Sequence, residues 1–233
     1  MYKEKFLSAV VTAAGSGTRM GTEINKPYLE VGDKKILEYS LATITNIEEF
    51  DEIILVVRQE DFPLATEIVS IFRNPRIKMV AGGASREEST YKGLCALNPK
   101  SELVLSHDGV RPFASRNLFL KVLSEMKSYK AAISATKSKD TIKVANEAGE
   151  VDFTPNRDFV YNIQTPQAFD TRLIKSLYEK YFKSEAKITD DSQLFEFFDR
   201  HEPVKIVEGE YSNIKITTTE DIIFAIGYIR GQK

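Results

Sequence analysis

The amino-acid sequence predicts an α/β fold in which a mostly parallel β-sheet is covered by helices on both faces. Apolar runs rich in β-branched residues recur with room for a helix between them, at residues 6–12, 52–57, 77–80, 102–105 and 131–135. Helical periodicity fills the intervals and continues to the C-terminus, at residues 36–45, 62–72, 86–97, 115–127, 170–182, 190–200 and 218–229. Alternation of this kind is typical of a parallel sheet.

The length of the chain predicts one domain over residues 1–233, because 233 residues can form a single sizeable core. Residues 136–161 depart from the alternation: they are polar and turn-rich, with β-prone pieces at 141–144 and 151–154. We expect a β-hairpin arm there that is too small to bury a core of its own. Packing of this arm on a second copy would give a homodimer, and a mobile surface excursion is the alternative.

Composition excludes several classes of function. The formal charge of −2 and the isoelectric point near 5.9 give no general attraction to nucleic acid or to an anionic membrane. The single cysteine, Cys95, excludes an internal disulfide and a cysteine-ligated zinc, and we expect it to be buried inside a helix. No apolar run approaches bilayer length and no signal-peptide pattern precedes the first strand, so we expect a cytoplasmic protein.

The most informative segment is a glycine-rich loop, Ala-Ala-Gly-Ser-Gly-Thr-Arg-Met-Gly at residues 13–21, which follows the first predicted strand and precedes Lys26. Open α/β sheets bind ligands at this end of their strands. Glycines let backbone N–H groups approach phosphate oxygens, and Arg19 and Lys26 add positive charge. Neither the dinucleotide fingerprint nor the P-loop fits, because Met20 replaces the third glycine and no Lys-Ser or Lys-Thr follows Gly21. A turn with solvated cations is the alternative.

Two more polar clusters follow predicted strands. In Ser106–Pro112, Asp108 is suited to a metal or a sugar hydroxyl and Arg111 to a phosphate, although the two could simply pair and hold the loop. In Gly82–Ser89, Ser85 is a candidate N-cap with Glu88 as its capping-box partner. Arg86 and Ser89 share a face near that helix N-terminus, a favourable place for phosphate or base contacts. His107 and His201 lack catalytic or metal-binding spacing and are expected to be structural.

Polar segments at 156–157, 164–167 and 213–217 could each be an ordinary loop. Taken in order with the clusters above, however, they resemble the motifs of the 2-C-methyl-D-erythritol 4-phosphate cytidylyltransferases of the non-mevalonate isoprenoid pathway. The likeness runs from about residue 6 to residue 229 and includes Asp140–Lys143 and Thr189–Asp191. It implies a Rossmann-like nucleotidyltransferase domain that uses CTP and a divalent cation, normally Mg²⁺, and that forms a homodimer through its β-arms.

The resemblance also implies roles for individual residues. The residues that would hold CTP are Ala13, Ala14, Gly15, Gly17, Arg19, Lys26, Gly82, Arg86 and Ser89. Those that would surround the polyol phosphate are Asp108, Arg111, Thr141, Arg157, Thr165 and Lys215. The catalytic cations would be Arg19, Lys26, Arg157 and Lys215. Thr141 and Arg157 lie on the predicted arm and could serve the site of the other subunit.

The implied reaction transfers CMP from CTP to 2-C-methyl-D-erythritol 4-phosphate and releases pyrophosphate. Its nucleophile is a phosphate monoester oxygen, already ionised at neutral pH, so no general base is required. Catalysis should then rest on cations and on positioning. The metal would be held mainly by the triphosphate with Asp108 nearby in support, so no protein ligand for the metal is assigned.

One departure from the family pattern is Pro27, directly after Lys26, where family members often carry Pro-Lys-Gln around the lysine. The proline removes one N–H and is expected to restrict Lys26 to extended geometry. An alternative activity is a ribitol-5-phosphate cytidylyltransferase that makes CDP-ribitol with the same CTP half-site. A catalytically silent nucleotide-binding protein is a third reading, against which the retained cations argue.

Overall fold

The computed structural model describes residue 2, residues 4–15 and residues 25–232. The predictions for Gly17 and Arg19 lie outside these described residues. Numbered in chain order, seven strands form the main sheet: β1 (Phe6–Thr12), β4 (Glu52–Val57), β5 (Ile77–Ala81), β6 (Ser101–Asp108), β7 (Ala131–Lys137), β10 (Tyr161–Asp170) and β11 (Val204–Glu208). Two small hairpins are formed by β2 (Glu30–Val31) with β3 (Lys34–Lys35), and by β8 (Val144–Ala145) with β9 (Val151–Phe153).

The strand order in the main sheet is β11-β7-β10-β6-β1-β4-β5. Every pairing is parallel except those of β10, which runs antiparallel to both β6 and β7. The described residues form seven α-helices: α1 (Ile36–Thr45), α2 (Phe62–Phe72), α3 (Arg86–Cys95), α4 (Arg116–Glu125), α5 (Thr171–Tyr181), α6 (Gln193–Phe198) and α7 (Thr219–Gly231). The mostly parallel α/β fold predicted from the sequence is confirmed.

The two faces of the sheet are covered by different helices because successive strand residues point to opposite sides. Leu7, Ala9 and Val11 of β1 pack in one cluster with apolar side chains of α1, α2 and α4. Val10, on the other face, packs with Ile54 of β4 and with α3, α5 and α6. None of the helices in the described part of the chain has the length and apolarity needed to cross a lipid bilayer.

Strand β10 was not predicted, and the reading of 164–167 as an ordinary loop is wrong. The segment is polar, contains Pro166 and lacks a β-branched run, so nothing in its composition indicates a central strand. It is nevertheless buried: Gln164 and Gln167 are 7% and 2% exposed. Pairing with β7 shifts register between Ile163 and Gln167, which accommodates the proline. Because β10 is antiparallel, its N-terminal half reaches the edge where β6 ends.

Cys95 is also placed differently from the prediction. It is the last residue of α3 and is exposed, whereas Leu94 beside it is buried against β4. The apolar neighbours of Cys95 in the sequence occupy the buried face of the helix, and Cys95 itself lies off that face. The expectation of a buried cysteine in a helix interior is therefore wrong.

Residues 138–160 connect β7 to β10 and contain the β8–β9 hairpin. From 139 to 159 every side chain is exposed except those of Val144 and Pro155, which are half-buried. Gly149 closes the hairpin turn at φ +80°, and the Asn146 side chain accepts hydrogen bonds from two turn N–H groups. Within one chain this segment therefore has almost no core, and it exposes the apolar side chains of Val151, Phe153 and Phe159.

Candidate active site

Two adjoining cavities open where β1, β4, β5 and β6 end. The larger has a volume of about 530 Å³ and the smaller about 230 Å³. Predicted site residues that line the larger are Ala13, Ala14, Gly15, Lys26, Gly82, Arg86, Ser89, Asp108 and Lys215. Those that line the smaller are Arg86, Asp108, Arg111, Thr165 and Lys215. Arg86, Asp108 and Lys215 line both cavities, as does Thr12, so two cations, one carboxylate and one hydroxyl lie on the boundary.

Lys26 begins a short 3-10 turn over Lys26–Tyr28. The expectation from Pro27 that Lys26 has extended backbone geometry is therefore wrong, and Asn25 is the extended residue. The proline is tolerated in the first turn because an N–H at that position would have no hydrogen-bond partner within the turn. The turn is anchored to the loop after β4, because Asp61 accepts hydrogen bonds from the Asn25 side chain and from two nitrogens of Arg58. The Lys26 ammonium donates to the carbonyl oxygen of Thr217 at 2.9 Å.

The loop between β5 and α3 approaches the end of β1 closely. A Cβ atom on Gly82 would lie 2.5 Å from Cβ of Ala14 and 2.9 Å from Oγ of Ser89, so only glycine fits there. Oγ of Ser89 accepts from Gly83 N and donates to Ser85 O, which fixes the loop. Ser85 is the N-cap of α3, as predicted, and its side chain accepts from the backbone N–H of Glu88. The return bond of the predicted capping box is displaced by one residue, because the Glu88 carboxylate accepts from the N–H of Ala84 and not from that of Ser85.

Asp108, at the end of β6, is held by two cations. Its Oδ2 atom lies 3.2 Å from Nε of Arg111 and 3.0 Å from Nζ of Lys215. Burial by itself would raise the pKa of Asp108, but the charges of Lys215 and Arg111 outweigh burial and hold that pKa well below its usual range. The carboxylate is therefore ionised. Arg111 pairs with Asp108, as the alternative interpretation of this loop expected, and it also lines the smaller cavity.

His107 has a structural role in this cluster. Burial lowers its pKa from 6.5 to about 4, so the ring is neutral at pH 7. Its Nε2 atom lies 3.2 Å from the carbonyl oxygen of Arg111, an acceptor, so Nε2 carries the proton and Nδ1 accepts from the hydroxyl of Thr165 at 3.1 Å. The Thr165 oxygen in turn accepts from the N–H of Asp108. His107 thus fixes the Thr165 hydroxyl.

Buried Asn213, two residues before Lys215, bonds to both Arg111 and Thr165. The carbonyl oxygen of Asn213 accepts from Nη1 of Arg111 at 2.9 Å, and its side-chain nitrogen donates to the carbonyl of Thr165 at 2.8 Å. Gln164, in β10, donates to the carbonyl of Glu210. These hydrogen bonds attach the segment before α7 to β10 and so determine where Lys215 lies relative to the sheet.

Arg86 is supported by residues to which the sequence analysis assigned no role in the site. Its Nη2 atom donates to Asp191 at 2.7 Å, and Asp191, only 4% exposed, also accepts from the hydroxyls of Tyr178 and Ser106. Burial by itself lowers the pKa of Arg86, but the charge of Asp191 outweighs it and raises that pKa above its ordinary value. Burial raises the pKa of Tyr178, with Asp191 adding to the effect, so Tyr178 remains a donor.

Thr141 and Arg157 do not line either cavity of the same chain. Both are exposed on the segment between β7 and β10, and Nη1 of Arg157 donates to the carbonyl of Lys139 at 3.3 Å. The structure of a single chain therefore does not bring these two residues to the other predicted site residues.

Further residues line the cavities without having been predicted: Thr12, Asn25, Arg58, Gln59, Glu60, Ser106, Gln164, Gln167, Asp190, Asp191 and Thr217. Residues 58–60 follow the end of β4, so the strand-end rule applied to the other loops would have found them. Gln164 and Gln167 of β10, which line the smaller cavity, could not be found by this rule, because the sequence did not predict the strand.

Metal-binding capacity at the site is small. Within residues 4–15 and 25–232, no group of three or more histidine, cysteine, aspartate or glutamate side chains could hold a metal ion. Asp108 is the carboxylate on the boundary of both cavities, and its Oδ2 atom already faces two cations. The donor set therefore fits a metal that is held chiefly by a bound phosphate ligand, with at most one carboxylate from the protein.

Taken together, a mostly parallel sheet, a glycine-bearing loop at its carboxyl edge and cations between two adjoining cavities define a nucleotidyltransferase. Residues 7–231 match the family of 2-C-methyl-D-erythritol 4-phosphate cytidylyltransferases. The chain belongs to this family, and the resemblance seen in the sequence is confirmed.

Individual members of the family align with this chain over nearly its whole length. The cytidylyltransferases named for 2-C-methyl-D-erythritol 4-phosphate from Clostridium botulinum and Caldanaerobacter subterraneus are 38% and 39% identical. The alignments cover 93% and 96% of this chain and 94% and 99% of the relatives. A crystal structure of 4-diphosphocytidyl-2C-methyl-D-erythritol synthase from Anaerococcus prevotii is 58% identical with a TM-score of 0.91, covering 97% of this chain and 96% of its own. The Thermus thermophilus enzyme is 28% identical with a TM-score of 0.78, covering 97% and 99%.

Proposed function

We propose that this protein transfers the cytidylyl group of CTP to 2-C-methyl-D-erythritol 4-phosphate, within isoprenoid precursor biosynthesis by the non-mevalonate pathway. The products are 4-diphosphocytidyl-2-C-methyl-D-erythritol and pyrophosphate. The observation that carries the proposal is the pair of adjoining cavities, of about 530 and 230 Å³, with Arg86, Asp108 and Lys215 on their common boundary. A large and a small anionic substrate can meet there beside two cations.

CTP occupies the larger cavity in this proposal. Its triphosphate lies against the backbone after β1 and against Lys26, and its nucleoside end lies along the Gly82 loop. The set of CTP-binding residues remains the one predicted from the sequence: Ala13, Ala14, Gly15, Gly17, Arg19, Lys26, Gly82, Arg86 and Ser89. The close approach of Gly82 to Ala14 supports this arrangement, because it leaves backbone groups rather than side chains facing the cavity.

The polyol phosphate occupies the smaller cavity, between Asp108, Arg111, Thr165 and Lys215. Asp108 is ionised, so it can accept hydrogen bonds from polyol hydroxyls. Lys215 is 39% exposed at its side chain and is suited to the phosphate of this substrate. Thr141 and Arg157 complete the predicted set.

The chemistry is a displacement at phosphorus. An ionised oxygen of the methylerythritol phosphate attacks the α-phosphorus of CTP, a new P–O bond forms, and the bond to the β-phosphate oxygen breaks, with its electron pair leaving on pyrophosphate. No proton has to be removed from the nucleophile, in agreement with a neutral His107 that is occupied by Thr165 and Arg111. Lys26 and Lys215, with Arg19 and Arg157, hold the two anions together and stabilise the charge that builds up at phosphorus.

A divalent cation, normally Mg²⁺, is part of the proposal and is held mainly by the triphosphate. When bound it neutralises phosphate charge and favours departure of pyrophosphate. Asp108 is the protein carboxylate suited to support it, and no dedicated protein cage is proposed.

We also infer that residues 1–233 form one domain and that two copies associate through the 136–161 arm. The exposed apolar side chains of Val151, Phe153 and Phe159 support association, since they lack a core within one chain. In such a homodimer Thr141 and Arg157 would serve the partner's cavities, which would explain their distance from the site of their own chain. A cytoplasmic location stays a prediction.

Transfer of label tests the proposal. The purified protein, Mg²⁺, methylerythritol phosphate and CTP labelled at the α-phosphate should give a labelled cytidylyl product together with unlabelled pyrophosphate. Label in free CMP without transfer, or no turnover of CTP, would refute it.

A further inference from the structure

Lys26 is held at its charged end by a residue far along the chain. Its ammonium donates to the main-chain carbonyl of Thr217 at 2.9 Å, and both residues line the larger cavity. A lysine side chain is flexible, so a carbonyl partner in a fixed place narrows the positions that its ammonium can take. What fixes the Thr217 carbonyl is therefore relevant to where Lys26 presents its charge.

The Thr217 carbonyl is aimed by one carboxylate oxygen. Oδ2 of Asp221, in the first turn of α7, accepts from the N–H of Thr217 at 2.7 Å, from its hydroxyl at 2.9 Å and from the N–H of Thr218 at 2.8 Å. The carbonyl of Thr217 and the N–H of Thr218 belong to one planar peptide group and point in opposite directions. By holding the N–H on one side, Asp221 directs the carbonyl towards Lys26 on the other.

We infer that Asp221 is a positioning residue for Lys26, acting through the peptide group between Thr217 and Thr218. The inference rests on the proposed catalytic role of Lys26 and adds a residue that does not line either cavity. Asp221 is ionised: partial burial by itself raises its pKa, but the hydrogen bonds from Thr217 and Thr218 outweigh burial and lower it.

A simple helix cap is the competing explanation, because an acid in the first turn of a helix also stabilises the helix itself. The two explanations differ in what they change. A cap alters the stability of α7 and leaves turnover by the folded enzyme unchanged. A positioning residue alters turnover, and its effect disappears when Lys26 is no longer there to be positioned.

The test is a double-mutant cycle of Asp221→Ala and Lys26→Met, with kcat measured at saturating CTP and methylerythritol phosphate and folding checked by circular dichroism. We expect Asp221→Ala to lower kcat by about 10- to 100-fold, as small displacements of a reacting group do. In the Lys26→Met background the same change should cost less than about twofold, because the two residues act as one unit.

Two further variants separate charge from geometry. Asp221→Asn keeps an oxygen that can accept the same three bonds and should retain most of the activity. Glu220→Ala, a neighbouring exposed acid on the same turn, is the matched control and should leave kcat unchanged. If Asp221→Ala does not fold, Asp221→Ser takes its place in the cycle.

The inference is overturned if the fold-losses in kcat of Asp221→Ala and Lys26→Met multiply in the double variant. It is also overturned if Asp221→Ala leaves kcat unchanged, or if Glu220→Ala lowers kcat as much as Asp221→Ala does. Failure of the underlying proposal looks different: the unaltered protein would not release pyrophosphate, or Lys26→Met alone would have no effect.

Discussion

The ammonium of Lys215 lies 3.0 Å from the carboxylate of Asp108, and this ion pair stands on the boundary of both cavities. Arg111 approaches the same carboxylate oxygen, so one negative charge orients two cations. A cation paired in this way is pre-oriented before substrates bind, which is the property that stabilises charge in a transition state.

Replacing Lys215 by methionine should therefore impair the chemical step. The change keeps most of the side-chain volume and removes the charge, and we expect kcat to fall roughly 100-fold, the scale associated with the loss of one group that stabilises the transition state. Lys121→Met, an exposed lysine on α4, is the control and should behave as the unaltered enzyme. Steady-state kinetics with a normal kcat for Lys215→Met would remove this residue from the mechanism.

Stability should depend on pH through His107. Its pKa in the folded protein, about 4, lies below the ordinary 6.5, so the unfolded chain binds the proton more readily. The contribution to stability is therefore complete above about pH 6.5 and declines as the pH falls towards 4, by about 2 kcal/mol between pH 7 and pH 5. Urea unfolding at the two pH values measures it. His107→Gln should lose this part of the pH dependence, and an equal dependence in both proteins would contradict the account.

Gly82 should not tolerate even a methyl group. An alanine Cβ would lie 2.5 Å from Cβ of Ala14, so the end of β1 or the loop after β5 must move. Because both segments line the cavity assigned to CTP, we expect Gly82→Ala to raise the KM for CTP by roughly tenfold, equivalent to about 1.4 kcal/mol. Gly227→Ala, where nothing lies within 4 Å of the added Cβ in α7, is the control and should bind CTP normally. Equal KM values for the two variants would count against the site.

The arm should act across a dimer. If Arg157 serves the partner's cavities, then mixing Lys26→Met subunits with Arg157→Met subunits creates dimers in which one site carries both defects and the other carries neither. With random exchange, about a quarter of the unaltered activity should return, since half of the dimers are mixed and half of their sites are intact. If the mixture remains as inactive as its components, Arg157 does not act in the partner.

Several parts of this protein could be read from the sequence because local patterns determine them. The strands β1, β4 and β5 are rich in apolar residues, α1 and α2 show clear helical periodicity, and the glycine loops follow strand ends, where α/β sheets bind ligands. Each of these features is determined by a local segment of the sequence, and the predicted bounds of the strands and helices agree closely with the structure.

What could not be read depends on contacts distant in sequence. β10 is a strand because its backbone pairs with β6 and β7, and its glutamines bond to Glu210 and Asp190; local propensity does not indicate it. Arg86 owes its support to Asp191, 105 residues away. Cys95 shows the same limit on a smaller scale, since the side of the helix that it occupies depends on which face meets the sheet.

In the proposed function, the smaller cavity selects 2-C-methyl-D-erythritol 4-phosphate. The most direct test is to measure kcat/KM by pyrophosphate release with this substrate and with ribitol 5-phosphate, at fixed CTP and Mg²⁺. We expect methylerythritol phosphate to be preferred by at least about 100-fold, the discrimination available when a few buried polar groups must be matched. Preference for ribitol 5-phosphate, or no turnover of either substrate, would contradict it.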